Sequence, residues 1–527
     1  MNIYELIAFI AYFVIVISVG LVFFFKGLSK PEESGEKSYF LGGRDMSGPV
    51  AALSAGASDM SAWVLMGLPG AIYLFGFGQI WISVGLALGT ALAWIFIAPR
   101  LRTFSIKAND SITIPQFLTN RFLSKSKALQ IICAIVFIFV YTVYSASSIC
   151  ACGDLFQTVF NLDSKVLPMV ISAAIIVVYT FLGGFNAVCW TDFFQGLLML
   201  AALMFAPIAA LFMIKGADFS PVTSEAAATA LYGAGAFQKM NLTTDGYFNP
   251  FTSVIDILSG LGWGLGYFGM PHILIRYMSI KNKKEMNRSR VIGTSWTFLI
   301  LAMATVVAIV GRKYFNDFLP VNPNIDKAQN LIFVCMVREV FKAIPLLSGI
   351  ILSAILAASM STADSQLLAS ASAFASDVYK PVIRKNAGDK EMMWAGRFIV
   401  IAISIFALII ALMPGNDGIM GLVENSWGAF GAAFGPSIIL ALYWKDFNYM
   451  GAVAGITTGF LADVIWLFGI SKLLADTPIG GLYEIIPAFI IGLIVCIVVS
   501  KVTGGASDEV KKLFDDSVEF TKTEANE

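Results

Sequence analysis

Apolar runs close to the ~20 residues that a helix needs to cross a bilayer recur from Ile3 to Ser500, with no long polar block between them. A chain with this pattern has a membrane as its solvent. The composition agrees, with 57% hydrophobic and 13% charged residues against the much more polar average of soluble domains. The pattern predicts an all-α polytopic membrane protein: one transmembrane domain over 1–502, then a short polar tail over 503–527 that reads as cytoplasmic and poorly ordered.

Charged and Gly/Pro-rich breaks divide the apolar runs into about thirteen spans on a ~20-residue criterion. They lie near 3–25, 48–75, 77–100, 128–158, 164–184, 188–215, 250–279, 290–312, 344–379, 394–413, 420–444, 449–470 and 482–500. The first run has no basic residue before it, exceeds a signal-peptide core and lacks a small-residue cleavage site, so it reads as a retained helix.

Lys and Arg near helix ends stay on the cytoplasmic side. One set of alternate loops carries Lys26, Lys30, Lys37 and Arg44, then Arg100, Arg102, Lys107 and Arg121, then Lys281, Lys283, Lys284, Arg288 and Arg290, then Lys380, Arg384 and Lys385. In the opposite set, 216–249 has Lys239 as its only basic residue, while 312–343 is richer in base and runs against the trend. The bias predicts an N-terminus outside a cell membrane and a C-terminus in the cytoplasm.

Several function classes lose their chemistry. Lys+Arg and Asp+Glu stand at 35 each, which gives no reason to expect nucleic acid. His272 is the only histidine, so histidine triads, poly-histidine metal centres and histidine proton relays have almost nothing to work with. Cys133, Cys150, Cys152, Cys189, Cys335 and Cys496 fall in apolar runs without CxxC spacing and read as small core residues. No Walker GxxxxGK[ST] loop is present, and no organic cofactor is expected.

Two spans interrupt the helical pattern with small residues: Leu53–Trp63, LSAGASDMSAW, and Ser259–Pro271, SGLGWGLGYFGMP. They are the second and the seventh, a separation of about five spans, as two inverted repeats over about 48–215 and 250–444 would give if each began with a discontinuous helix. Asp59 lies in the first of them, where a mid-membrane charge costs roughly 2.5–3.5 kcal/mol on insertion scales. Around it Gly56, Ala57, Ser58 and Ser61 let the backbone unwind, and freed carbonyls with hydroxyls suit a small hard cation such as Na⁺; a plain helix-capping role is the alternative. Ser361, Thr362, Asp364 and Ser365 share about one turn of the ninth span and offer further oxygens, although small residues there equally suit helix packing. Trp263 and Tyr267, four apart among Gly260, Gly262, Gly264, Gly266 and Gly269 and followed by Pro271, predict rings presented to a solute cavity. Asp154, Asp192, Asp256, Glu424 and Asp463 also fall in or near apolar spans, where ion pairs or helix ends are as good a reading as transport roles. Asp192, at the start of the sixth span, is the candidate for a second ion site with Ser361 and Ser365, or for an exit route.

At these residues the chain resembles the sodium:solute symporter family over nearly its whole length. The carriers are Tyr39–Ala71, Phe181–Asp192 (FLGGFNAVCWTD), Gly262–Leu274 (GWGLGYFGMPHIL), Leu352–Thr362 (LSAILAASMST) and Gly428–Pro436 (GAFGAAFGP). The resemblance implies a leucine-transporter-like fold with alternating access and sodium-coupled uptake, L-proline being the cargo and Na⁺ the coupling ion. It implies a sodium site of the Ala57, Met60 and Ala358 carbonyls with the Ser361 and Thr362 hydroxyls, supported by Asp59. It further implies a solute pocket of Tyr144, Trp263, Tyr267 and Pro271 with Trp63 nearby, and coupling through Arg44. Ala62 and Met270 depart from the residues expected there, glycine and glutamine.

Other cargoes of the same architecture, such as another amino acid, a carboxylate or a sugar, remain open from the residues. A channel lacks a repeated filter motif. A sensor would need a signalling module, for which the residues after Ser500 leave little room, and an intramembrane enzyme lacks a second carboxylate paired with Asp59.

Overall fold

The computed structural model describes residues 2–29, 36–182, 184–213, 244–315, 319 and 327–526. Lys30, Lys239 and most of the 216–249 segment, on which part of the orientation reading rests, lie outside them. Every element among the described residues is helical, apart from one isolated parallel bridge between Met46 and Ile280. In lipid, helices meet the demand that each peptide group be bonded internally.

Ten helices are long and apolar enough to cross a membrane among the described residues, with three shorter apolar helices beside them. In chain order the elements that build the site are α1 (Ile3–Ser29), α2 (Gly48–Asp59), α3 (Leu68–Phe75), α4 (Phe77–Lys107), α5 (Ala128–Phe160), α6 (Val166–Leu182), α7 (Phe185–Met213), α8 (Val254–Gly262), α9 (Pro271–Ser279), α10 (Lys283–Tyr314) and α11 (Pro345–Ala373). After them come α12 (Asp389–Leu412), α13 (Gly418–Tyr443), α14 (Tyr449–Ile465), α15 (Ile485–Val502) and α16 (Asp508–Asn526). Asn282 and Asn448 start α10 and α14 by accepting from the amides of Glu285 and Gly451, as N-caps do. Asn161, in the left-handed region at φ 49°, stops α5.

Burial sorts the bundle. In α11 and α13, 83% of the most apolar stretch is buried, against 28% in α1 and 22% in α14, so the first two are central and the last two face lipid. α11 packs on α5, α7 and α1; α2 lies between α7 and α10; α13 packs on α14, α15 and the 263–268 segment. The six cysteines are free and buried, as apolar packing residues.

With lipid as apolar as any core, helices here associate by close packing and small residues. A Cβ at Gly264 would meet the Gly85 carbonyl oxygen at 2.4 Å, and one at Gly89 would meet the Gly264 oxygen at 2.3 Å. Gly264→Val therefore forces α4 away from the pocket, and overpacking of this kind costs about 1–3 kcal/mol. A lowered midpoint for thermal unfolding of the detergent-solubilised variant is expected; an unchanged midpoint would contradict the close approach.

The tail differs from expectation, because 508–526 is a docked helix. Val510, Phe514 and Ser517 are buried on one side of α16, and its polar side is tied down. Arg102 donates to Glu524 at 2.6 Å, Thr103 bonds Thr521 at 2.6 Å, and Lys445 and Lys511 pair with Asp515 and Asp446. The helical spacing of Val510, Phe514 and Val518 sits in a charged stretch, which hid it from a composition-based reading.

Candidate functional site

α2 ends at Asp59. Met60 follows with φ −80° and ψ 73°, outside the helical range, before a wide helical turn over Trp63–Gly67 leads into α3. Here the Ala57 carbonyl accepts the Ser361 hydroxyl of α11 at 2.7 Å and lies 3.5 Å from the Thr362 hydroxyl. Ser361 also reaches the Ala358 carbonyl at 3.2 Å. Four oxygens from two helices, α2 and α11, thus share a small volume close to where α2 ends. A hydroxyl has lone pairs besides its proton, so the oxygens that now donate to carbonyls would accept a cation after rotation. Hard-oxygen donors of this kind fit Na⁺.

Asp59 is 1% exposed and accepts the Tyr267 hydroxyl; its other oxygen, Oδ1, has no hydrogen-bond partner among the described residues. The bond crosses from α2 to the 263–268 segment. That segment runs as tight helical turns through Trp263–Phe268, breaks at Met270 with ψ 107°, and resumes at Pro271, where a missing N–H costs nothing.

The rings assemble from four places in the chain. Trp63 lies 5.9 Å from Trp263, Trp263 lies 5.3 Å from Tyr483, and Tyr267 meets Trp427 edge to face at 5.2 Å. Trp427 Nε1 donates to the Trp263 carbonyl at 2.7 Å, and Trp63 Nε1 to the Asp59 carbonyl at 3.3 Å. Tyr144 is fully buried, its hydroxyl without a hydrogen-bond partner among the described residues and its ring 6.4 Å from that of His272. Tyr141 accepts the His272 amide at 2.9 Å and bonds its Nδ1 at 3.1 Å.

Here the geometry departs from the cavity expected around the glycines. Gly266 faces Trp427, whose Nε1 would lie 2.0 Å from an added Cβ, and Gly262 faces Ile486 at 2.7 Å. Neighbouring side chains and backbone fill the space that the glycines leave, and Trp263 and Tyr267 are each 2% exposed. Of the expected pocket residues, Trp63, Trp263 and Tyr267 share a closed aromatic cluster with Trp427 and Tyr483, while Tyr144 stands against His272 and Pro271 starts α9. Trp427 and Tyr483 were missed; the signal was the GAFGAAFGP stretch beginning one residue after Trp427, a bare surface that needs large partners.

Asp192 and Ser365 also come together, with Arg276 between them. Arg276 Nη2 bonds Asp192 Oδ2 at 2.9 Å and Ser365 Oγ at 2.5 Å, Nε donates to Ser54 at 2.7 Å, and Nη1 to the His272 carbonyl at 2.6 Å. Ser54 donates to Asp192 at 2.7 Å, and Ser365 to Asp364 at 3.2 Å. Asp192 thus has a guanidinium where the sequence reading set it with Ser361, which turns instead to Ala57. Arg276 was overlooked because it stands in the last turn of a span, where a base reads as an interfacial anchor.

Arg44, at φ 59°, ties the segment before α2 to its surroundings. It bonds Asp110 at 2.8 Å, Ser105 at 3.0 Å, the Ser111 carbonyl at 2.6 Å and the Met278 carbonyl at 2.7 Å. Beside it Met46 bonds the Ser279 carbonyl and accepts from the Lys281 amide, each at 3.1 Å. The remaining flagged carboxylates divide: Asp154 pairs with Lys165 at 3.2 Å, Asp256 is exposed, Glu424 is half-buried on α13, and Asp463 is buried in the last turn of α14. No grouping of three or more His, Cys, Asp or Glu side chains placed for a metal occurs among the described residues.

A multi-pass helical bundle that stacks aromatic rings beside an oxygen cluster where one helix stops in mid-bundle is a membrane transporter in architecture. This chain belongs to the sodium:solute symporter family, whose model matches residues 39–459. It is similar to the osmoregulated proline transporter OpuE of Bacillus subtilis, at 39% identity over 90% of this chain and 91% of that one. The high-affinity proline transporter PutP of the same organism is 40% identical over 91% of this chain and 95% of its own. The sodium/proline symporter of Staphylococcus aureus is 39% identical over 93% and 91%. Among solved structures, a Na⁺-coupled sialic acid symporter in a substrate-bound outward-open state superposes with a TM-score of 0.72 at 18% identity, covering 96% of this chain and 99% of that one. That likeness is one of fold.

Proposed function

We propose that this protein takes up L-proline by sodium-coupled alternating access, with thirteen transmembrane helices, inverted repeats over about 48–215 and 250–444, and the N-terminus outside. The ten long apolar helices and three shorter ones support the count, and the interruptions at Met60 and Met270 support reading the second and seventh helices as discontinuous. The cargo rests on the proline transporters to which the chain is similar over nine-tenths of its length.

In this reading Na⁺ is held by the carbonyls of Ala57, Met60 and Ala358 and the hydroxyls of Ser361 and Thr362. Asp59 supplies negative charge one residue from Met60. Proline's ring packs among Trp63, Tyr144, Trp263, Tyr267 and Pro271. The observation that carries the coupling is the hydrogen bond from Tyr267 to Asp59, which joins a pocket residue to the cation side. Sodium drawn to the cage fixes Asp59, Asp59 fixes Tyr267, and the solute then meets a wall already ordered; by reciprocity the solute tightens sodium. Arg44 and the Met46–Ile280 bridge join the ends of α2 and α9, so that both discontinuous helices move together when the inner side opens. Asp192, Ser365 and Arg276 form an internal charge network next to that path, a built-in cation in place of a second bound ion. Inward movement of one positive charge contributes ~2.3 kcal/mol per 100 mV of membrane potential.

Tyr267→Phe tests the link. It keeps the ring and removes the bond, so the Na⁺ concentration for half-maximal proline uptake should rise about tenfold, from about 1–2 kcal/mol of lost charge-assisted bonding. A sodium dependence equal to that of the unaltered protein would break the proposed coupling.

A further inference from the structure

A second cluster of ionisable groups adjoins the ring stack at Tyr483. Asp463, in the last turn of α14, is 1% exposed, and its Oδ1 has no hydrogen-bond partner among the described residues. Glu484, at the N-cap of α15, is 7% exposed, and its Oε1 has none either. Both oxygens aim at one point on α13: a Cβ built on Gly428 would lie 2.9 Å from Asp463 Oδ1 and 3.3 Å from Glu484 Oε1. Glu424 stands four residues before Gly428 on the same face of α13, half-buried.

Among the described residues nothing positive offsets them. No ion pair among the described residues involves Asp463, Glu484 or Glu424. In the segment joining α14 to α15, Lys472 is turned over the Phe468 ring and Asp476 is exposed. Asp417, at the start of α13, accepts from Asn425. The 254–268 stretch contributes Trp263 and Ser259, and Tyr483 donates to the Glu424 carbonyl at 2.8 Å. Two ionised carboxylates facing one another in a dry interior without a counter-charge are too costly to persist. A cation must join them, and no metal-holding group of three such side chains occurs among the described residues.

We propose that Asp463 and Glu484 are a proton-binding site, holding at least one proton between them, and that its occupancy controls the solute pocket through Tyr483. Tyr483 precedes Glu484 and places its ring 5.3 Å from that of Trp263. The sign follows: as pH rises the pair loses its proton, the two charges repel, Tyr483 is displaced, and Trp263 loses its support. Solute binding weakens at high pH.

The test has two arms, each with pH equal on both sides of the membrane. By infrared difference spectroscopy of the unliganded protein, raising the pH should remove the carbonyl stretch of a buried protonated carboxyl, and this loss should be reduced in Glu484→Gln and in Asp463→Asn/Glu484→Gln. By proline uptake, half-saturation should rise about tenfold between about pH 6 and about pH 9 in the unaltered protein and stay level in either variant. The single variant serves if the double one does not fold. The infrared arm needs no cargo, so a wrong cargo would not read as failure of this site. An unchanged infrared loss in both variants, a pH dependence they retain, or restoration of affinity at high pH by Na⁺ added beyond the concentration that saturates the coupling site would overturn the proposal, the last by replacing the proton with a metal ion.

Discussion

Replacing Arg276 with alanine should destabilise the protein by about 3–5 kcal/mol, the usual result of removing one partner from a buried ion pair. Arg276 is 2% exposed and Asp192 fully buried, and the guanidinium gathers α2 through Ser54, α7 through Asp192 and α11 through Ser365. Its loss leaves the Asp192 carboxyl buried without its guanidinium, held by Ser54, with Ser365 and Asp364 close by. A sharp fall in monodisperse protein and in thermal midpoint is expected. Arg276→Ala with Asp192→Asn should recover part of the loss, because the orphaned charge goes with the arginine. If the single variant matches the unaltered protein in stability, or the double variant is no better than the single, the network does not carry the charge balance assigned to it.

The second large effect concerns the cage. Ser361 and Thr362 each present a hydroxyl to the Ala57 carbonyl, at 2.7 and 3.5 Å. Removing both should weaken sodium about a hundredfold, taking each oxygen to contribute about 1.4 kcal/mol, while the fold survives because alanine suits a tightly packed helix interface. The measurement is the sodium dependence of uptake in Ser361→Ala/Thr362→Ala beside a thermal-unfolding curve. Weaker sodium at unchanged stability supports the site; an unchanged sodium dependence removes these hydroxyls from it.

How much of this was legible in the sequence depended on range. Asp59, Ser361 and Thr362 stand out locally, as a charge and hydroxyls where lipid-facing helices have neither, and the structure brings the two hydroxyls to the Ala57 carbonyl. What escaped the sequence was partnership across the bundle. Arg276 meets Asp192 from 84 positions away, and a base in the last turn of an apolar span carries no sign of reaching inward. The glycines of 260–269 were legible as an interruption, but whether bare backbone opens a cavity or admits a neighbour depends on Trp427 and Ile486, which lie in other helices. The α16 helix failed for a different reason: its apolar face is narrow, and the end of α4 and the Ile114–Arg121 helix must be in place before burying it is worthwhile.

The most direct test of the central claim is radiolabelled proline uptake into proteoliposomes under an inward Na⁺ gradient and, separately, an equal K⁺ gradient, for the unaltered protein and Thr362→Ala. Accumulation that requires Na⁺ and falls steeply in the variant is the predicted result. Equal uptake under both gradients, or none under either, would contradict sodium-coupled proline transport.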